Sequence, residues 1–366
     1  MGRNLVMEGV VLGLVISMQV LGSVAGVRPP AMFVFGDSTL DVGNNNYLPG
    51  PDVSRANRPY YGVDFPGIPT GRFSNGYNTA DYVAKTMGFV SSPPAYLSLA
   101  PSSGLLVLTA RTSGVSYASG GAGILDSTNA GKTVPLSRQV QYFNATKARM
   151  VSALGSGAVN ASLSRSVFLI GVGANDLFAF ATASSAADQQ SAAAALFADL
   201  ISNYSATITE LYTMGARKFA VINVGLVGCV PVVRVLDAAG ACADGLNQLA
   251  AGFDAALRSL MASLAPTLPG LAYSLADSYG LTVDTFADPV ASGYTDVAGA
   301  CCGGGRLAAE TDCLPNSTLC ANRDQHVFWD RYHPSQRASL LTAKAFYDGP
   351  AQYTTPINFK QLAQTS

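Results

Sequence analysis

Five short apolar runs, separated by stretches with the composition and spacing of helices, constrain the fold of this chain more than any other feature. AMFVF (31–35), VSYAS (115–119), VFLIGVG (167–173), KFAVINV (218–224) and LAYSLAD (271–277) each run into Gly, Asn, Asp or Ser. Apolar runs of this length bounded by turn formers read as buried strands. Between them, 79–87, 136–154, 186–214 and 244–264 are rich in Ala, Leu, Arg, Gln or Tyr at helical spacing, and 334–347 opens on Pro, which suits a first helical turn. Alternation of strand and helix predicts an α/β fold on a parallel sheet. Ligands of such sheets sit beyond the carboxyl ends of the strands, so chemistry is to be sought just after each run.

No Gly/Ser linker, composition break or internal repeat divides these units, so 27–366 reads as one domain. Two irregular segments, 42–74 and 287–324, are long for plain connections and are expected to frame a substrate cleft. Ahead of the domain, Arg3 leads into VVLGLVISMQVLGSVAG, an apolar stretch closing on small residues, which predicts a signal peptide over 1–26. No later stretch reads as a membrane span, so the mature protein is expected to be soluble and outside the cytosol. Six cysteines, all between Cys229 and Cys320, fit pairing in an oxidising compartment, with fifteen connectivities open. Adjacent Cys301 and Cys302, the lack of any CxxC and a total of two histidines argue against zinc. Sequons at Asn144, Asn160, Asn203 and Asn316 suggest a glycosylated surface. Charge excludes one large class of partner: 22 Lys plus Arg against 23 Asp plus Glu leave no basic excess for nucleic acid. A small or weakly charged partner, and a monomer, are expected.

The residues after the strands carry the chemistry. GDST places Ser38 where the chain leaves the first strand, so its hydroxyl can enter the cleft and nearby N–H groups can face developing negative charge; Ser there can equally be a helix cap. SGGAG follows the second strand, and Gly120 and Gly121 permit close backbone approach, as they would in a plain tight turn. GANDL follows the third and brings the amide of Asn175 to the same edge, a potential oxyanion donor and also ordinary turn chemistry. Near the end, FWDRYHP sets Asp330 three residues before His333, so one turn can bring carboxylate to imidazole and leave Nε2 free to take a serine proton. Of the two histidines only His333 has this partner; His326 has Arg323 three residues earlier. Jointly these supply nucleophile, oxyanion donors, base and orienting acid. GxSxG, the elbow of the better-known lipase fold, does not occur.

With these residues in view, the chain resembles the plant-type GDSL esterase/lipases of the SGNH hydrolase superfamily. The resemblance rests on FGDSTLDVGNNN, PYYGVDFPGIPTGRFSNG, SYASGGAGILD, GANDL, NVGLVGCVP and FWDRYHPS, which span nearly the whole mature chain. It implies a three-layer flavodoxin-like fold with a five-stranded parallel sheet in the order 2-1-3-4-5, no cofactor, and hydrolysis of carboxylic esters. Carried over by position, the nucleophile falls on Ser38, acid and base on Asp330 and His333, and the oxyanion hole on Ser38, Gly120 and Asn175, with Gly121 open as an alternative to Gly120. One departure is GLVG (225–228), where Pro-Leu-Gly would be expected after the first Gly. The substrate is expected to be an acyl lipid, an acetylated sugar or a small ester, and apolar segments around Phe65 and 105–108 suggest an acyl-accepting surface. The same acyl-enzyme could serve an extracellular acyltransferase of the polyester-synthase type, and an inactive binding protein on this scaffold is the reading from another class.

Overall fold

The structure, a computed structural model, describes residues 28–183 and 186–365, so the expected signal peptide lies outside the described residues. Four parallel strands form its centre: β1 (Met32–Gly36), β2 (Val167–Gly171), β3 (Lys218–Ile222) and β4 (Ala272–Ala276), adjacent in that order. Their register aligns Phe33, Phe168, Phe219 and Tyr273 in one row across the sheet. Because side chains alternate between faces, this row and its neighbours Phe35, Ile170 and Val221 all point one way. There they meet Phe143 of helix Leu136–Leu154, Tyr204 and Ile208 of helix Ala186–Thr213, and Phe253 and Leu257 of helix Asp244–Thr267. Phe143 packs edge-on against Phe33 at 5.1 Å and Phe168 at 5.3 Å, so Phe143→Ala should cost about 3–5 kcal/mol.

The alternate residues, Met32, Val34, Leu169 and Ala220, face the other side. Helices Thr79–Thr86, Gln336–Asp348 and Phe359–Gln364 cover them, through Val83, Phe346 and Phe359 among others. A capping box of Asn78 and Asp81 starts the first of these helices, and the same Asp81 carboxylate pairs with Arg72 through two hydrogen bonds of 2.6 and 2.9 Å. Helices on both faces of a mostly parallel sheet bear out the α/β expectation.

The central sheet does not pair five parallel strands. The fifth strand of the sheet is the two-residue Thr354–Thr355, antiparallel to β4, too short to leave a periodic signal in sequence. VSYAS runs beside β1, with Val34 N–H donating to Val115 O, Tyr117 N–H to Val34 O and Ser119 N–H to Gly36 O. Its bridges are single, Ser116 with Val34 on one side and with Ala95 on the other, and non-strand groups hold its outer edge: Ser116 exchanges hydrogen bonds with Pro94 and Tyr96, and the Asn44 amide donates to Ser116 O and Ala118 O. The last long helix begins at Gln336, not at Pro334; Ser335 is its N-cap, with its hydroxyl accepting from Ala338 N–H.

The cysteines pair as Cys229–Cys242, Cys301–Cys320 and Cys302–Cys313. The last two lie beside strand His326–Phe328: Cys301 N–H donates to Phe328 O and Cys302 N–H to Trp329 O, so both bridges brace the chain that leads into Asp330. All four sequon asparagines are exposed, and no described helix is long and apolar enough to cross a membrane.

Candidate active site

The carboxyl ends of β1 and β2 crowd together: Asp37 N–H donates to Gly171 O, and a Cβ at Gly36 would lie 2.4 Å from that same oxygen. Residues 37–41 then turn, with Leu40 and Asp41 N–H both returning to Asp37 O, which lifts Ser38 over the sheet edge. At the other end of the chain, strand His326–Phe328 leads into a tight reversal closed by Trp329 N–H to His333 O and Ser335 N–H to Val327 O. Inside it, Asp330 Oδ1 accepts the N–H groups of Tyr332 and His333 at 2.9 Å each. The reversal therefore fixes carboxylate and imidazole side by side through an Asx-type turn.

Ser38 Oγ lies 2.8 Å from His333 Nε2, and His333 Nδ1 lies 2.7 and 2.8 Å from Asp330 Oδ1 and Oδ2. The serine and the imidazole stand 295 positions apart in sequence. Asp330 is buried, and its Oδ2 also accepts the hydroxyl of buried Tyr61 at 2.8 Å. Burial works against the charged carboxylate, yet the facing imidazole, the Tyr332 N–H and the Tyr61 hydroxyl outweigh it and hold Asp330 below the usual carboxylate range. Phe73 lies against the imidazole with ring centres 4.8 Å apart, and Tyr61, Phe73 and buried Trp329 pack behind the reversal with the Cys302–Cys313 bridge. His326 is elsewhere, its Nδ1 against Asn322 O at 3.1 Å and its Nε2 3.7 Å from Asp296.

The glycine pair is not symmetric. Gly120 N–H donates to Asp41 Oδ2 at 3.0 Å, whereas Gly121 N–H, like Ser38 N–H, has no hydrogen-bond partner among the described residues. Asn175 spends one amide hydrogen on Ala122 O at 2.9 Å, which leaves the other for a ligand. Beside it, Asp176 accepts from Ile124 N–H, Leu125 N–H and Thr128 Oγ1, so the two halves of GANDL tie the glycine loop to the helix after β2. Burial raises Asp41 to about 6 against the N–H groups of Gly43, Asn44 and Gly120 that favour its charge. Tyr61, Asp41 and Asn45 escaped the sequence reading because a polar residue in a long loop is ordinarily solvated; the run GNNN, buried at Asn44 and Asn45, was the available hint.

Ser38, Gly120, Gly121, Asn175 and His333 all line one cleft of about 1030 Å³. Beyond the serine it runs over the ends of β2 and β3 between Val230, Val233, Leu236, Phe286 and Val290, with Leu226 and Val227 of the departing GLVG segment also on its wall. Segments 42–74 and 287–324 reach it only in part, through Asp52, Ser54 and Phe73 and through 290–294. The apolar surface expected at Phe65 and 105–108 is not part of it. Phe65 stacks on Tyr77 at 3.8 Å, and Leu105 and Leu108 lie exposed on helix Ser103–Thr112.

An α/β fold that sets hydroxyl, imidazole and carboxylate in hydrogen-bonded series above the sheet edge, in an apolar cleft, has the equipment of a serine-type carboxylic ester hydrolase. Comparison with known proteins reaches the same class: residues 32–346 match the model of the GDSL-like lipase/acylhydrolase family. Among relatives from Arabidopsis thaliana, GDSL esterase/lipase At1g71691 is 37% identical over 91% of this chain and 85% of its own length. GDSL esterase/lipase At5g55050 is 38% identical over 92% and 90%, and GDSL esterase/lipase At1g29670 is 37% identical over 93% of both. The chain belongs to the GDSL lipase/acylhydrolase family and is a carboxylic ester hydrolase.

Proposed function

We propose that Ser38 is the acyl nucleophile, His333 its general base and Asp330 the group that orients the imidazole. The 2.8 Å approach of Ser38 Oγ to His333 Nε2, with Asp330 on Nδ1, is the observation that carries this reading. As Ser38 attacks the ester carbonyl, Nε2 takes the hydroxyl proton, and the imidazolium is stabilised by the carboxylate. When the tetrahedral intermediate collapses, Nε2 returns that proton to the leaving alcohol. Water then enters, is deprotonated in the same way, and releases the acid from Ser38.

The oxyanion is received by Ser38 N–H, the free amide hydrogen of Asn175 and a glycine N–H. Gly121 fits that third role and Gly120 does not, because the Gly120 N–H is already given to Asp41. The apolar arm of the cleft favours an ester bearing an extended aliphatic chain over an acetylated sugar, since each methylene buried there contributes about 0.8 kcal/mol. A single catalytic domain from 27 onward, released from the signal peptide over 1–26 and secreted, is consistent with three disulfides and four exposed sequons. The parallel bridge between Val34 of β1 and Ser116 supports the reading of VSYAS as the outermost member of the expected 2-1-3-4-5 order.

Treatment of the purified chain with a fluorophosphonate, followed by intact mass and peptide mapping, tests the assignment. One adduct on Ser38 that is lost in His333→Ala is the expected result; a folded chain that takes no adduct would overturn it.

A further inference from the structure

We infer that Asn45 is a positioning residue of the oxyanion hole, acting through the peptide that joins Gly120 to Gly121. This rests on the reading of Gly121 N–H as an oxyanion donor. In a trans peptide the C=O and the following N–H point in opposite directions and lie in one plane. Whatever holds Gly120 O therefore also aims Gly121 N–H. Asn45 Nδ2 donates to Gly120 O at 2.9 Å, from a side chain only 1% exposed.

Asn45 is itself held in one orientation. Its second amide hydrogen goes to Ser54 O at 2.8 Å, and its Oδ1 accepts the hydroxyl of Ser119, which in turn accepts from Val134 N–H. The opposite assignment of oxygen and nitrogen would set the amide oxygen against two carbonyls, so the network permits one arrangement. Short helix Asn44–Tyr47 turns the side chain inward. On the near side of the same glycine, Asp41 Oδ2 accepts Gly120 N–H, so the residue before the donor is gripped at both of its backbone polar groups.

Space at Gly120 agrees with a fixed peptide. A Cβ there would lie 2.7 Å from the Phe73 ring and 2.8 Å from Asn45 Nδ2, so the backbone comes as close to both as glycine allows. Phe73 is also the ring against His333, which places clamp, glycine and base in one packed unit.

Asn45→Asp separates positioning from packing, because aspartate keeps the shape and the acceptor for Ser119 but offers no hydrogen to Gly120 O. The test compares wild type and Asn45→Asp in kcat and KM for an aliphatic ester, in affinity for a trifluoromethyl ketone that forms an oxyanionic adduct with the serine, and in melting temperature. A well-aimed oxyanion donor is worth about 10²–10³ in kcat, so a loss of tenfold to a hundredfold is expected, with KM held within about threefold and ketone affinity falling in parallel. Asn45→Ser, which lacks the reach to Gly120 O, should show the same split if the aspartate variant does not fold. A variant that loses stability yet keeps kcat and ketone affinity per folded molecule would overturn the inference and leave Asn45 a loop brace. An inert wild-type chain would instead sink the hydrolase assignment of the site, and the clamp with it.

Discussion

Tyr61 donates its hydroxyl to Asp330 Oδ2 at 2.8 Å, joining two loops 269 positions apart behind the His333 imidazole. The bond reaches the carboxylate oxygen that receives no backbone N–H, since Tyr332 and His333 both use Oδ1. Hydrogen bonds to charged groups contribute about 1.5–3 kcal/mol. Tyr61→Phe should therefore lower kcat by roughly tenfold or somewhat more while KM stays near its wild-type value, as steady-state kinetics on an aliphatic ester would register. An unchanged kcat would mean that the remaining partners hold Asp330 unaided.

Asp330→Asn should be far more costly. The amide would keep most of the shape but favours the imidazole tautomer with its proton on Nε2, which cannot accept from Ser38. A loss of about 10⁴ in kcat is expected, with Ser38 labelling by fluorophosphonate slowed to match. Near-wild-type labelling would show that His333 is oriented by other means.

The long arm of the cleft predicts a dependence on chain length. Leu236 and Val290 are 84% and 78% exposed and flank the same groove, so charge there should not unfold the protein. Leu236→Glu combined with Val290→Glu should reduce kcat/KM for long-chain esters by roughly tenfold, about two methylene contacts. Acetyl and butyryl esters should be hydrolysed as before. Equal losses across the series would place the aliphatic chain elsewhere.

Asp254 makes stability depend on pH. One oxygen accepts Val224 N–H at 3.0 Å and the other has no hydrogen-bond partner among the described residues; burial raises its pKa to about 8, with Asp277 adding to the effect and Arg258 opposing it. The native state thus binds this proton more tightly than the unfolded chain between about pH 4 and pH 8. The contribution is present at the low end of that window and is lost as pH rises through the native value. Melting temperatures at pH 6 and pH 9 should fall more for wild type than for Asp254→Asn, which keeps the acceptor and cannot ionise. Parallel curves would contradict the burial argument.

Four strands and most of the candidate site were legible because each depends on local pattern: an apolar run of five residues, or a carboxylate three positions before a histidine. VSYAS was legible as an extended segment but its outer partners were not, since Asn44 and residues 94–96 reach it from distant loops. Thr354–Thr355 had no pattern to read at two residues. The choice between Gly120 and Gly121 turned on Asp41, a bond across 79 positions that no local signal encodes. The apolar wall of the cleft was sought at Phe65 and Leu105 because hydrophobic segments announce themselves in sequence, whereas Val230, Val233 and Phe286 become a wall only when two distant stretches meet.

The 295 positions between Ser38 and His333 also set an order in time. A ribosome makes the serine long before the histidine, so a growing chain that has passed position 38 but not 333 holds the hydroxyl without its proposed base. On the proposed assignment ester cleavage cannot begin before codon 333 is translated, and a message truncated ahead of it would yield a chain without that chemistry.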